Sequence, residues 1–363
     1  MNPPVIVVGA GIIGCAVARE LSSRGIAALV IDEHAPGSGA THASAGMLAP
    51  YVEGHEGGLL RDLGVRSLDL YDDWIAAVRH ESGMDVEYRR LGTLEVALDP
   101  AHAAELQRSA GVDSIARVWL DSTTARREHP ALGSVAGALY TPVHGYVAAP
   151  QLTAALVGAA TAHGATFTRA RVLRITAAGG AMEVETSEGV VRGECVVLAA
   201  GAWVNEIAVE GTALPPLKPW RGQLLHLDWR GRPIETIVWG PECYIVPRVD
   251  GSLLVGATVE DVGFDERATA AGIRDLLDAA CELLPEGWGA TFLGVRVGLR
   301  PATPDELPVI GPDPAVDGLV HASGHFRNGV LLAPITATLI ADWIQKQVRD
   351  PVFAALRPDR FSV

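Results

Sequence analysis

Pro4-Val5-Ile6-Val7-Val8-Gly9-Ala10-Gly11-Ile12-Ile13-Gly14 is an apolar run that passes without a break into three spaced glycines. Consecutive aliphatic residues of this length read as a strand buried on both faces. Cys15-Ala16-Val17-Ala18-Arg19-Glu20-Leu21 follows with helical composition, so the stretch predicts strand, tight turn and helix. In such a unit each glycine has its own task. Gly9 permits the turn, Gly11 lets the backbone approach a pyrophosphate, and Gly14 lets the helix pack closely on the strand. The helix start adds N–H groups and the positive end of its dipole.

Working outward, Ala18 and Leu21 fall on the face expected to meet a sheet, and Gly25 closes the helix. Residues 27–31 read as a second strand, ending at Asp32, where an acid accepts hydrogen bonds from a ribose 2′-hydroxyl. Asp32 and Glu33 together would repel a 2′-phosphate, which disfavours NADP. Residues 35–47 are too rich in glycine, serine and alanine for regular structure and suit close approach to a flat ligand. Leu59–Ser82 has helical periodicity, with Leu60, Leu63, Leu70, Trp74 and Val78 near one face. Strand-like texture then runs from Val86, a helix over 150–163, more strands over 190–198 and 223–257, a helix over 268–284 and a last helix over 336–348. Just before that last helix stands Gly324-His325-Phe326-Arg327-Asn328-Gly329-Val330-Leu331-Leu332, a polar, glycine-bracketed loop suited to a second approach to the same cofactor. A flavin nucleotide is long enough to need both.

Composition narrows the class. At 363 residues the chain exceeds a single core of up to ~250–300 residues, so two domains are expected. The two textures alternate, which predicts discontinuous domains: a cofactor domain over 1–84, 146–214 and 296–363, and a substrate domain over 85–145 and 215–295. A net charge of −14 argues against nucleic acid as a partner. No apolar run approaches the ~20 residues of a membrane span. The N-terminus lacks the early basic residues of a signal peptide. Cys15, Cys195, Cys243 and Cys281 show no metal or disulfide spacing, and Cys15 reads as a small core residue, so a cytoplasmic protein is expected. No metal site is predicted, since paired acids and clustered histidines at ligand spacing are missing.

Further stretches carry a family resemblance over nearly the whole chain. They are Ser44-Ala45-Gly46-Met47-Leu48, Gly145-Tyr146-Val147, Ala199-Ala200-Gly201-Ala202-Trp203 and Arg221-Gly222-Gln223. The most restrictive are Gly298-Leu299-Arg300-Pro301-x-Thr303-Pro304-Asp305 and the closing Gly324-to-Gly329 run. With the N-terminal glycines and Asp32, the chain resembles the D-amino-acid-oxidase-like flavoenzymes, and within them the glycine oxidase (ThiO) branch. The resemblance implies noncovalent FAD in a Rossmann-like α/β domain, covered by a substrate domain with a large, mostly antiparallel or mixed sheet and flanking helices. It puts Gly9, Gly11, Ile12, Ile13 and Gly14 at the pyrophosphate, Asp32 and Glu33 at the ribose, and Val172 by the adenine. Ala40, Thr41, Ala45, Gly46, Met47, Gly201 and the stretch His325, Phe326, Arg327, Asn328, Gly329, Val330, Leu331 would surround the rest. Some relatives attach flavin through a cysteine; Gly298 stands there, so no thioether is expected.

The implied reaction is oxidation of a small amino acid to its imine, hydrolysed to an oxo acid and ammonia, with O2 as electron acceptor and a link to thiamine biosynthesis. The resemblance assigns Arg300 to clamp the substrate carboxylate, a task for a planar fork with fixed charge. Tyr244 and Arg327 would assist, and no residue is assigned as acid or base. Strand alternation puts Tyr244 and Val246 on one face of their strand, Cys243 and Ile245 on the other. Glu242 and Val259 depart from the branch's usual histidine and methionine, which leaves open a broader D-amino-acid or sarcosine-type oxidase. A glycine dehydrogenase subunit using another acceptor and a catalytically silent flavin-holding subunit are the remaining alternatives. A homo-oligomer, specifically a homotetramer, is implied by the resemblance alone.

Overall fold

The computed structural model describes residues 4–53, 57–111, 115–346 and 348–361. Val5–Val8 forms a strand in a six-stranded sheet ordered Val309–Pro312, Leu319–Ser323, Cys195–Leu198, Val5–Val8, Ala28–Asp32 and Thr166–Arg169. All neighbours run parallel except the edge strand Val309–Pro312. Both faces are covered, which is why the strands are unbroken aliphatic runs. Val5 and Val7 enter the core made with helices Ile12–Ser23, Leu59–Ser82, Ala149–Ala162 and Gly329–Lys346. Ile6 and Val8 point the other way, onto Val172, Ile175, Met182 and Val184 of a small four-stranded sheet. Period-two alternation thus serves two cores from one strand.

The second body of structure is an eight-stranded sheet ordered Thr291–Ala302, Lys218–Asp228, Ser252–Gly256, Tyr244–Pro247, Ile237–Trp239, Thr93–Ala97, Gly137–Thr141 and Val118–Asp121. Its pairs are antiparallel apart from Ile237–Trp239 with Thr93–Ala97. One face packs on helix Ala270–Leu283 through Leu225, Val255 and Leu276. The other carries Leu224, Val246 and Leu254 against Ala45 and Tyr146, and so meets the small-residue loop of the first body. The domain change expected at 295–296 falls inside Thr291–Ala302, which pairs along Lys218–Asp228 on both sides of that point.

Helix Leu59–Ser82 lies where its periodicity predicts, but its buried stripe includes Ser67, Leu68 and Tyr71, while Leu70 is exposed and Leu60 only partly buried. The last helix differs more. It starts at Gly329, seven residues before the expected 336, and carries Pro334 inside it. A proline there has no N–H for the Val330 carbonyl and disturbs the next bond. Two buried hydroxyls of Leu59–Ser82 repair the gap. Tyr71 donates to the Val330 carbonyl, and Ser67 donates to the Leu331 carbonyl at 2.6 Å while accepting the Ile335 N–H at 3.4 Å. The polar residues on an otherwise apolar stripe are therefore there to hold the first turn of another helix. Ser67→Ala is expected to cost about 1–3 kcal/mol, since it removes the partner of two buried backbone groups. A thermal melt of the purified protein checks this; an unchanged Tm would contradict the bridge.

Candidate active site

The carboxyl ends of the parallel strands open into one long cleft, the usual ligand position in such sheets. At one end is the glycine turn. Gly9 has φ +107°, a region open mainly to glycine, and a Cβ on Gly14 would stand 1.9 Å from the Gly9 carbonyl oxygen. Gly14 itself does not reach the cleft; its part is the packing that shapes the turn. Above Gly11 the space is open, the nearest atom to a Cβ there being Thr41 Oγ1 at 3.6 Å. Thr41 accepts the Ile12 N–H at 3.0 Å, tying the small-residue loop to the helix start.

Asp32 has a structural task that the sequence did not announce. Its two oxygens accept the N–H groups of Ala10 and His34, each at 2.7 Å, so it braces the glycine turn. Glu33, half exposed beside it, and Val172 line the same end of the cleft. Arg171 and Trp203 line it too; neither was singled out from the sequence, although Arg171 adjoins Val172 and Trp203 closes a quoted motif.

Toward the other end the cleft passes Ala40, Thr41, Ala45, Gly46, Met47 and Gly201 and reaches the run from His325 to Leu331. The His325 ring turns away from the cleft, with Nε2 3.0 Å from Thr336 Oγ1 inside the last helix. Complete burial pushes the His325 pKa down to about 3. Its imidazole is neutral at working pH, and its backbone is what faces the cleft. Acidification should therefore destabilise the fold through this residue. Between the ordinary histidine value of ~6.5 and about 3 the unfolded chain binds the extra proton, so the contribution is complete above that upper value and is lost as pH falls. His325→Gln should flatten this acid limb in a pH series of thermal melts; an unaltered slope would count against the burial argument.

Tyr244, Arg300 and Arg327 line this same end. Arg300 comes from Thr291–Ala302 and packs over Gly222, where a Cβ would stand 2.3 Å from both terminal guanidinium nitrogens. Its Nη1 donates to the Thr258 carbonyl at 2.9 Å. Asp305, five residues further on, pairs with Arg360 at 2.8 Å. Thr258 is itself fixed by the remaining residues of the Arg221-Gly222-Gln223 motif. Arg221 pairs with Glu260 at 2.5 Å and Asp265 at 3.1 Å, and Gln223 donates to Glu260 at 2.8 Å. Burial would raise the Glu260 pKa, but the hydrogen bonds from Arg221, Gln223 and Thr258 outweigh it and bring the group down to about 2. The motif thus holds the segment that holds Arg300.

Tyr244 obeys the alternation read from its strand. Tyr244 and Val246 pack on the cleft side, Cys243 and Ile245 in the opposite core. Glu242 and Val259 do not reach the cleft; they line a second cavity that shares Tyr244 and Arg327 with it. Gly298 packs its backbone against Ala40 and Ala43 and offers no sulfur. Among the described residues no group of three or more histidine, cysteine or acidic side chains could hold a metal ion, and no helix is long and apolar enough to cross a membrane.

A cleft with an open pyrophosphate turn, an acid end, a corridor of small residues and two arginines fits an extended flavin dinucleotide with a small anionic substrate beyond it. Comparison with known proteins agrees on the flavin. The family model described as DAO, FAD dependent oxidoreductase, matches residues 4–343. The bifunctional protein ThiO/ThiG of Trichormus variabilis is 35% identical over the whole chain, which spans only 56% of that relative. The chain thus covers about half the length of such two-part relatives. Glycine oxidase of Geobacillus kaustophilus is 33% identical over 94% of this chain and 93% of its own. A crystal structure of glycine oxidase from that organism superposes with a TM-score of 0.95 at 32% identity, covering 99% of each chain. The crystal structure of iminodiacetate oxidase from Chelativorans sp. BNC1 gives 0.89 at 28% identity, covering 98% of each.

Proposed function

Because the chain belongs to the DAO family of FAD-dependent oxidoreductases, we propose that it oxidises the amine of glycine. In this reaction glycine, water and O2 give glyoxylate, ammonia and hydrogen peroxide. The observation that carries the reading is the presence of Arg300 and Tyr244 in the same cleft as the glycine turn.

FAD, when bound, supplies the two-electron acceptor for the substrate Cα–H, and O2 takes the electrons onward. Gly9, Gly11, Ile12, Ile13 and Thr41 would hold its phosphates, Asp32, Glu33 and Val172 its adenosine end, and Gly46, Met47 and residues 325–331 its ring system. Arg300 binds the substrate carboxylate through paired, charge-assisted hydrogen bonds, and Tyr244 adds its hydroxyl. Arg327 contributes charge at the mouth. Fixing the carboxylate fixes the Cα–H relative to the acceptor, and such positioning is worth up to ~7–11 kcal/mol. The protein supplies no base in this scheme. His325 is turned inward with its pKa near 3, so the substrate reacts as the neutral amine. The rate at limiting glycine should then climb with pH toward the amine's own pKa.

The similarity to ThiO-containing proteins supports a place for the imine in forming the thiazole of thiamine. The four buried, unpaired cysteines support a reducing, cytoplasmic setting. A wider substrate range is the second reading, because Glu242 and Val259 line a cavity that shares Tyr244 and Arg327 with the cleft. The test is kcat/KM for glycine, sarcosine and D-alanine, with ammonia and peroxide measured against substrate consumed. Glycine should lead with equal yields of both products. Preference for sarcosine or D-alanine would replace glycine as substrate.

A further inference from the structure

Trp239 touches neither the glycine turn nor the long cleft, yet it contacts both residues at the junction of the cleft and the second cavity. The hairpin of Ile237–Trp239 and Tyr244–Pro247 is joined by residues 240–243, with the Gly240 N–H donating to the Cys243 carbonyl at 2.8 Å. That connection sets the register, pairing Trp239 directly with Tyr244 across the ladder. Residues opposite one another in a ladder share a face. Here the two rings stack, with centroids 5.5 Å apart and planes 25° from parallel. The Arg327 guanidinium lies over the Trp239 ring, its carbon 5.6 Å from the ring centroid. An indole has the most electron-rich face among the side chains, so it is the best platform for a cation. Arg327 is exposed and on a long, flexible stem, and such a side chain needs a surface to lie on.

Resting on the reading of the site given above, we propose that Trp239 is a positioning residue that orients Tyr244 and Arg327 toward the substrate carboxylate. It acts on substrate binding through these two side chains and does not touch the reacting atoms. Its loss should weaken carboxylate binding while leaving electron transfer from bound substrate nearly unchanged.

The experiment compares Trp239→Leu and Trp239→Phe holoproteins with wild type. Acetate, a carboxylate without the reacting amine, is titrated against the flavin spectrum, and anaerobic reduction by glycine is followed over a range of concentrations. Trp239→Leu should raise the acetate Kd and the half-saturating glycine concentration at least about tenfold. Its limiting reduction rate, flavin content and Tm should stay near wild type. Trp239→Phe keeps a stacked ring and should recover most of the binding. Wild-type binding in the leucine variant, equal losses in leucine and phenylalanine, or losses that follow Tm and flavin content would each overturn the proposal. Should Trp239→Leu yield no holoprotein, Trp239→Thr, suited to a strand, is judged by the same criteria. The acetate arm is independent of turnover. If glycine fails to reduce wild type while acetate binding still depends on residue 239, the substrate reading fails and the positioning role stands.

Discussion

Arg300→Leu should yield a protein that is still yellow but whose kcat/KM for glycine has fallen roughly 10²- to 10³-fold. Removing one partner of a hydrogen-bonded charge pair costs about 2–5 kcal/mol, and each ~1.36 kcal/mol is a factor of ten. The loss should appear mainly in KM, with a smaller fall in kcat from poorer alignment. Arg300→Lys should recover little, because an ammonium lacks the planar fork whose separate nitrogens can meet the Thr258 carbonyl and a carboxylate together. Gly222 has no Cβ, so the shorter leucine at 300 meets no side chain there. Steady-state kinetics with a flavin spectrum of the same sample checks this. Wild-type kcat/KM in a flavin-loaded Arg300→Leu protein would remove the residue from the site.

The second large effect separates two glycines three residues apart. Gly14→Ala places a methyl 1.9 Å from the Gly9 carbonyl oxygen, a backbone atom that cannot swing aside. Strand and helix must separate, and the expected outcome is a protein with little soluble yield or a Tm depressed by many degrees. Gly11→Ala is different. Its backbone, at φ −69° and ψ 178°, suits any residue, and the nearest atom to the new methyl is 3.6 Å away. The apoprotein should therefore fold with an unchanged Tm. The methyl would occupy the space reserved for the pyrophosphate, so FAD affinity should fall about 100-fold or more. Melts of apoprotein and a flavin titration distinguish the two, and tight FAD binding by Gly11→Ala would show that the cofactor lies elsewhere.

Much of this organisation was legible in the chain because the signals are local. Strand, turn and helix at residues 5–23 follow from composition and glycine spacing, and Tyr244 faces the cleft because side chains alternate along a strand. That residues hundreds of positions apart share the cleft was legible because motifs at both ends of the chain carried the family resemblance. What was not legible depends on contacts across the fold. The last helix starts early because Ser67 and Tyr71 accommodate Pro334, and a proline alone reads as a boundary. Asp32 bracing the glycine turn, and Arg221 fixing the segment that holds Arg300, are likewise invisible without tertiary partners. Trp239 carries no sequence signal; only hairpin register brings it against Tyr244.

The most direct test of the account is anaerobic mixing of the purified protein, loaded with FAD, with glycine, followed by air. Glycine should bleach the flavin absorbance with saturation kinetics. Air should restore it, with one peroxide and one ammonia released per flavin reduced. A flavin that remains oxidised with glycine, sarcosine and D-alanine alike would contradict amine oxidation at this cleft.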